Sequence, residues 1–180
     1  MDAFDYFICI TLIVLGFCGI LKLIGREGKR RDLALKNIDA YVFPNSISRS
    51  ISKKYPHLTR EEIDSVLSGL KQFFYACCIC KGKSVGMPSR SVDYAWHKFI
   101  LHTKEYKKFC KNNIGWFVHH TPAGSSGEKT VESEGTKRIW ITCCLTENID
   151  QRKPKSLPLL FSLASVLNIQ DGLIFILDSH

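Results

Sequence analysis

The apolar positions of this chain follow two regimes. Residues 6–21, YFICITLIVLGFCGIL, form one uncharged run between Asp5 and Lys22, with no polar face to turn towards water. From residue 59 onward, apolar residues instead recur at intervals of three and four, the spacing of helices that bury one side. A mainly α-helical protein is predicted, with an N-terminal transmembrane helix followed by a small helical domain.

Thr59 opens the clearest of the later helices. Glu62, three residues on, completes a capping box, and Glu61 and Asp64 favour the positive end of the helix dipole. Ile63, Val66, Leu67, Leu70, Phe73, Phe74 and Cys77 then share one face. Gly82, Gly86 and Pro88 mark a loop, after which Ser89 or Ser91 is placed to cap the next helix. Over residues 92–110, a 100° projection groups Val92, Trp96, Phe99, Thr103, Tyr106 and Cys110, and Gly115 supplies the stop.

The rest of the pattern is weaker. Residues 33–43 give a short helical pattern before Pro44, and residues 45–54 read as a polar linker or a weak helix. Residues 122–136, PAGSSGEKTVESEGT, lack an apolar pattern and are expected to form a mobile loop. Residues 138–149, RIWITCCLTENI, suit strand or helix equally. A last helix is expected over 157–172, and a short strand or extended tail over 173–180.

Three divisions follow: a transmembrane helix at 1–25, a basic juxtamembrane segment and linker at 26–58, and a helical cytoplasmic domain at 59–180. The first is just long enough to span a bilayer core, with Lys22 able to snorkel. Its flank is acidic, and no small-residue cleavage pattern follows, unlike a signal peptide. Arg26, Lys29, Arg30, Arg31 and Lys36 follow the run and no basic residue precedes it. That asymmetry predicts an inner-membrane, single-pass protein with its N-terminus outside and its domain in the cytoplasm.

Charge and cysteine content fit that picture. The formal net charge is +8, but the basic residues are scattered and match no nucleic-acid motif, so no nucleic-acid partner is expected. Beside a bilayer the same charge attracts anionic headgroups, so membrane lipid is an expected partner, along with an unknown protein partner. The eight cysteines include two in the apolar run, and Cys77, Cys78 and Cys80 share one segment, a poor framework for disulfides. Cys77 and Cys80 form a single CxxC, where a zinc ribbon needs two.

The chemistry concentrates in residues 92–122, which hold four of the six histidines: His97, His102, His119 and His120. Asp93 lies one turn before His97, placed to orient it or to join it as a ligand. His102 falls about 140° round the projected helix and is excluded. The return after Gly115 brings back His119 and His120, whose adjacency points them apart, so one of the two is expected to face His97. The candidate metal ligands are therefore Asp93, His97, His119 and His120, a donor set suited to zinc or iron(II). The alternative is a structural role, with His97 closing the core beside Trp96 and the paired histidines bonding backbone carbonyls. No nucleophile elbow, phosphate loop or dinucleotide fingerprint is present.

Asp93, Trp96, His97, Ile100, Thr103, Tyr106, Phe109, Cys110, Gly115, His119, His120 and Pro122 compose a motif, D-x-x-W-H through G-x-x-x-H-H-x-P. It resembles the bacterial glycine-rich domain-containing protein-like family, with residues 157–172 similar to its closing segment. The resemblance covers roughly residues 60–178 and implies a mostly helical domain, which favours helix for residues 138–149. Ala164 stands where the resemblance implies an acidic residue, and the chain has no glycine-rich segment. The expected function is a binding or scaffold module at the membrane, with one metal ion or a structural cluster at the histidines. The alternative is a metal-dependent hydrolase or oxygenase using the same site.

Overall fold

The computed structural model describes residues 3–120 and 129–177, without the side chains of residues 3–12, 14, 15, 18, 23, 24 and 129–133. Seven α-helices and one π-helical turn are present among them, and no strand: α1 (Ala3–Ala40), α2 (Asn45–Lys54), α3 (Arg60–Cys80), α4 (Arg90–Ile100), α5 (Thr103–Phe109), the π turn (Cys110–Ile114), α6 (Lys129–Thr146) and α7 (Leu159–Val166).

Helix α3 is the central element, and its ends are set by local chemistry. The Thr59 backbone N–H donates to Glu62 Oε2 at 2.7 Å and the Glu62 N–H donates to Thr59 Oγ1 at 3.3 Å, so the predicted capping box forms. Lys81 closes the other end in the left-handed conformation. Between them Ile63, Val66, Leu70, Phe73, Phe74 and Cys77 are buried, as the periodicity requires. Each fully buried aromatic of this kind contributes roughly 1.5–3 kcal/mol relative to exposure. Phe43, Phe74, Phe99, Tyr106 and Phe109 meet mostly edge to face, Phe43 and Phe99 with centroids 5.1 Å apart at 87°, the arrangement favoured by the ring quadrupole.

Helix α1 runs antiparallel to α3, and three contacts give the register. Lys81 Nζ pairs with Glu27 Oε1 at 2.6 Å. Further along, Cys78 feels the charges of Arg30 and Arg31, and Lys71 Nζ donates to the Asp39 carbonyl at 2.5 Å. The segment read as a basic stretch and linker, 26–58, thus contributes to the core: Ala34, Ile38, Phe43, Ile47 and Ile51 are buried. Ile47 and Ile51 are one turn apart, which is why the polar sequence NSISRSISKK still forms α2.

The transmembrane span expected over 1–25 gains no support, because among the described residues no helix is long and apolar enough to cross a membrane. Most of the first half of that run falls on side chains outside the description. The described members Ile13, Phe17, Ile20 and Leu21 are all exposed.

Other expectations are corrected by backbone breaks. The helix projected over 92–110 stops at Ile100 and restarts at Thr103, with His102 at φ −81°, ψ 61° between them. Thr103 is consequently exposed rather than on the apolar face. Residues 138–149 fall mostly within a helix, α6, which already begins at Lys129 within the stretch expected to be a loop; residues 121–128 lie outside the described residues. Helix α7 ends at Val166, short of Gly172, because Asn168 turns left-handed and the Ile169 N–H donates to the Ala164 carbonyl at 2.9 Å. Of the strand or extended tail expected over 173–180, no strand forms over 173–177, and residues 178–180 lie outside the described residues. A Cβ on Gly172 would come within 2.6 Å of the Ala164 Cβ, so this closely packed turn has no room for an acidic side chain at 164.

Candidate metal centre

Ser89 accepts the Val92 N–H at 3.5 Å and caps α4, which starts the helix one turn ahead of Asp93 and two turns ahead of His97. The second half of the site arrives by a different route. The Gly115 N–H donates to the Cys110 carbonyl at 2.8 Å, closing the π turn, and Gly115 takes φ 98°, a conformation open to glycine at little steric cost. The chain then doubles back antiparallel to its previous course through Trp116 and Phe117.

A buried relay fixes that return. Trp96 Nε1 donates to the Tyr106 hydroxyl at 3.0 Å, and Tyr106 donates onward to the Val118 carbonyl at 2.5 Å. Burial pushes the Tyr106 phenol far above its ordinary range, against the smaller opposing effect of the Trp96 N–H. The neutral hydroxyl is thus held as a donor, two residues before His120. The His120 ring packs on Trp96 with centroids 4.8 Å apart.

Asp93, His97 and His120 come together as a result, each with one ligand-type atom within 4.8 Å of the others. His97 Nε2 lies 2.6 Å from His120 Nε2, His120 Nε2 3.3 Å from Asp93 Oδ1, and His97 Nε2 3.8 Å from Asp93 Oδ2. Of the two ring nitrogens at 2.6 Å, one carries the hydrogen and the other accepts it. Side-chain exposure grades from 19% for His120 through 30% for Asp93 to 48% for His97, so His120 is the anchored member of the group and His97 the adjustable one.

The donor set fits a cation with a small adjustment. Tetrahedral zinc with bonds of about 2.0–2.1 Å separates two ligand nitrogens by about 3.3 Å, so the His97 and His120 rings must part by roughly 0.7 Å. Exposed His97 has the freedom to do so. The 3.3 Å between His120 Nε2 and Asp93 Oδ1 already matches such a geometry, whereas the 3.8 Å from His97 Nε2 runs to the other carboxylate oxygen and must shorten as well.

The remaining histidines are elsewhere. His119 is exposed and packs its ring against Phe117 with centroids 4.8 Å apart, outside the three-residue group. His102 hydrogen-bonds Ser46 at 2.8 Å, and His57 bonds the Leu167 carbonyl at 3.1 Å. His102 is therefore kept from the site by the break after Ile100 as well as by its angle.

The triad sits on the wall of a cleft of about 930 Å³ lined also by Lys83, Arg90, Trp116 and Thr136. Sequence reasoning missed Lys83, Arg90 and Thr136, because they come from a glycine-punctuated loop, a helix start and the interior of α6, with no periodic signal that points to the site. It also gave Tyr106 no role beyond the motif and the apolar face, although a tyrosine on a buried face needs a partner for its hydroxyl. Among the described residues, no cysteine is part of the centre. Cys77 is buried, and desolvation pushes its thiol up, as it does Cys78, Cys110, Cys143 and Cys144.

Fold and site together define a mainly helical protein carrying an Asp/His/His group beside an open cleft. The chain belongs to the UCP032817-like family, an uncharacterised family that matches residues 34–180. This match carries no evidence for the glycine-rich-domain grouping. No curated protein and no solved structure matches the chain.

Proposed function

We propose that this protein is a membrane-tethered binding module whose Asp93, His97 and His120 hold one divalent metal ion, zinc or iron(II). The observation that carries the reading is convergence: three metal-type ligands from α4 and from a return 23 residues later meet within 4.8 Å. Two imidazoles and one carboxylate suit both ions. A metal bound there would join α4 to the return and would supply a Lewis acid at the cleft wall. The chain's own part is to hold His120 through the Tyr106 relay, to let His97 close on the ion and to leave one side open.

The tether is residues 6–21, an uncharged run with basic residues only on its C-terminal side. The proposed topology places the N-terminus outside and the domain in the cytoplasm. A reporter fused after His180 is expected to be active only in the cytoplasm, and activity on the other side of the membrane would overturn the orientation.

A second reading, a metal-dependent hydrolase or oxygenase, is favoured by the open cleft, since three protein ligands leave coordination positions for water or substrate. Elemental analysis of the purified full chain, stripped and reloaded, tests the metal common to both. One ion per chain, lost in His97→Ala and His120→Ala variants with unchanged circular dichroism, is expected. A wild type that retains no zinc or iron(II) would overturn both readings. Turnover of ester or phosphoester substrates by loaded wild type and by the loaded His119→Ala control, lost in metal-free protein, is expected on this second reading, and turnover that persists without metal would argue against a reaction at the triad.

A further inference from the structure

We propose that one end of the domain, formed by the loop at residues 81–84 and the turn at residues 115–117, rests in the anionic headgroup layer, so that the cleft bearing the histidines opens at the bilayer surface. This rests on the tether of the preceding reading and extends it from the helix to the domain itself. Helix α1 serves as a ruler. Its apolar stretch ends at Gly25, and at 1.5 Å per residue Glu27 lies about 3 Å and Arg30 about 7.5 Å further on. The headgroup and interfacial region on each side of a bilayer is roughly 5–7.5 Å deep, so Glu27 falls within it and Arg30 at its outer edge.

Two contacts transfer those depths to the domain. Glu27 pairs with Lys81 at 2.6 Å. The Arg30 guanidinium lies against Gly115 so closely that a Cβ there would collide with it. Lys81 therefore lies within the headgroup layer and Gly115 at its outer edge, and both begin segments that line the cleft: Gly82, Lys83 and Ser84 on one side, Trp116, Phe117 and His119 on the other. Because α3 runs antiparallel to α1, the rest of the domain extends away from the membrane.

The residues at this end have the composition of a bilayer-facing surface. Trp116 is half-buried and Phe117 exposed, and aromatic rings are favoured at the interface. Arg26, Lys29, Arg30, Lys83 and Lys111 are exposed at the same end, and basic side chains close to the surface are attracted to an anionic leaflet. The acidic Glu27 at this end is neutralised by its ion pair with Lys81.

The test uses the full chain labelled with 5-fluorotryptophan in nanodiscs containing phosphatidylglycerol and a headgroup spin-labelled lipid. The resonance of Trp116 is assigned with a Trp116→Phe variant, and Trp96, buried against Phe73 two turns up α3, is the internal reference. Several-fold greater broadening of Trp116 than of Trp96, relieved on reduction of the spin label, is expected. Equal broadening in a chain that stays with the discs would overturn the surface and leave the tether standing. A chain that separates from the discs would overturn both, and neither result bears on the metal.

Discussion

Tyr106 donates its hydroxyl hydrogen to the Val118 carbonyl at 2.5 Å while accepting from Trp96 Nε1 at 3.0 Å. One phenol thereby ties α4 and α5 to the backbone that delivers His120. Fold and site share this bond, since the same contact that satisfies a buried indole also sets where an imidazole can stand.

Tyr106→Phe removes the hydroxyl and keeps the ring. The Trp96 N–H and the Val118 carbonyl then lose their partner in a buried place, a loss of about 1–3 kcal/mol. Urea unfolding of the full chain in detergent should show a lower midpoint. Metal affinity should fall by roughly 10–100-fold, as for residues that orient a ligand rather than bind the ion. An unchanged affinity in competition titration would remove Tyr106 from the site.

The two adjacent histidines should behave oppositely. His120 touches both Asp93 and His97, whereas His119 faces Phe117. His120→Ala should abolish stoichiometric metal, and His119→Ala should keep it. Equal losses would mean that the return binds in another register.

Much of this was readable in the sequence, because helix and site both obey local rules. The Thr59/Glu62 box and the buried face of α3 follow from spacing alone, as does the stacking of Asp93 on His97. Adjacency let only one of His119 and His120 lie beside His97, and which one does so depends on Tyr106 finding Val118, a contact no periodicity encodes. The break at residues 101–102 was hidden for a similar reason: Leu101 and His102 carry no glycine or proline, and His102 is held by Ser46 from α2, 56 residues earlier. Helix α2 was obscured by its polar composition, since two isoleucines one turn apart suffice only when a core is already there to receive them.

Alkaline solution should destabilise the fold. Burial is the leading cause that raises the thiols of Cys77, Cys78, Cys143 and Cys144, and it pushes the Tyr55 phenol up to about 12. The unfolded chain therefore releases these protons first, and stability falls with pH wherever the folded state binds more. The contribution is whole below the ordinary thiol value of about 8.5 and is lost as pH climbs towards the raised values. Urea midpoints measured from pH 8 to pH 10.5 under reducing conditions should decline, and the native thiols should resist alkylation at pH 8. A flat profile would show that these groups titrate as freely in the fold as outside it.

Gly115→Ala separates backbone strain from site geometry. Its φ of 98° is one that a Cβ disfavours, at a cost of roughly 1–2 kcal/mol, and the new methyl also meets the Arg30 guanidinium. Gly82→Ala is the matched control, because Gly82 has φ 77° with nothing within 4 Å of an added Cβ. Both variants should lower the unfolding midpoint, Gly115→Ala by more. Only Gly115→Ala should also weaken metal binding, because Gly115 aims the chain that carries His120 whereas Gly82 ends a helix whose residues are not ligands. If both variants weakened metal equally, the effect would come from lost stability, and the turn at Gly115 would have no separate part in building the centre.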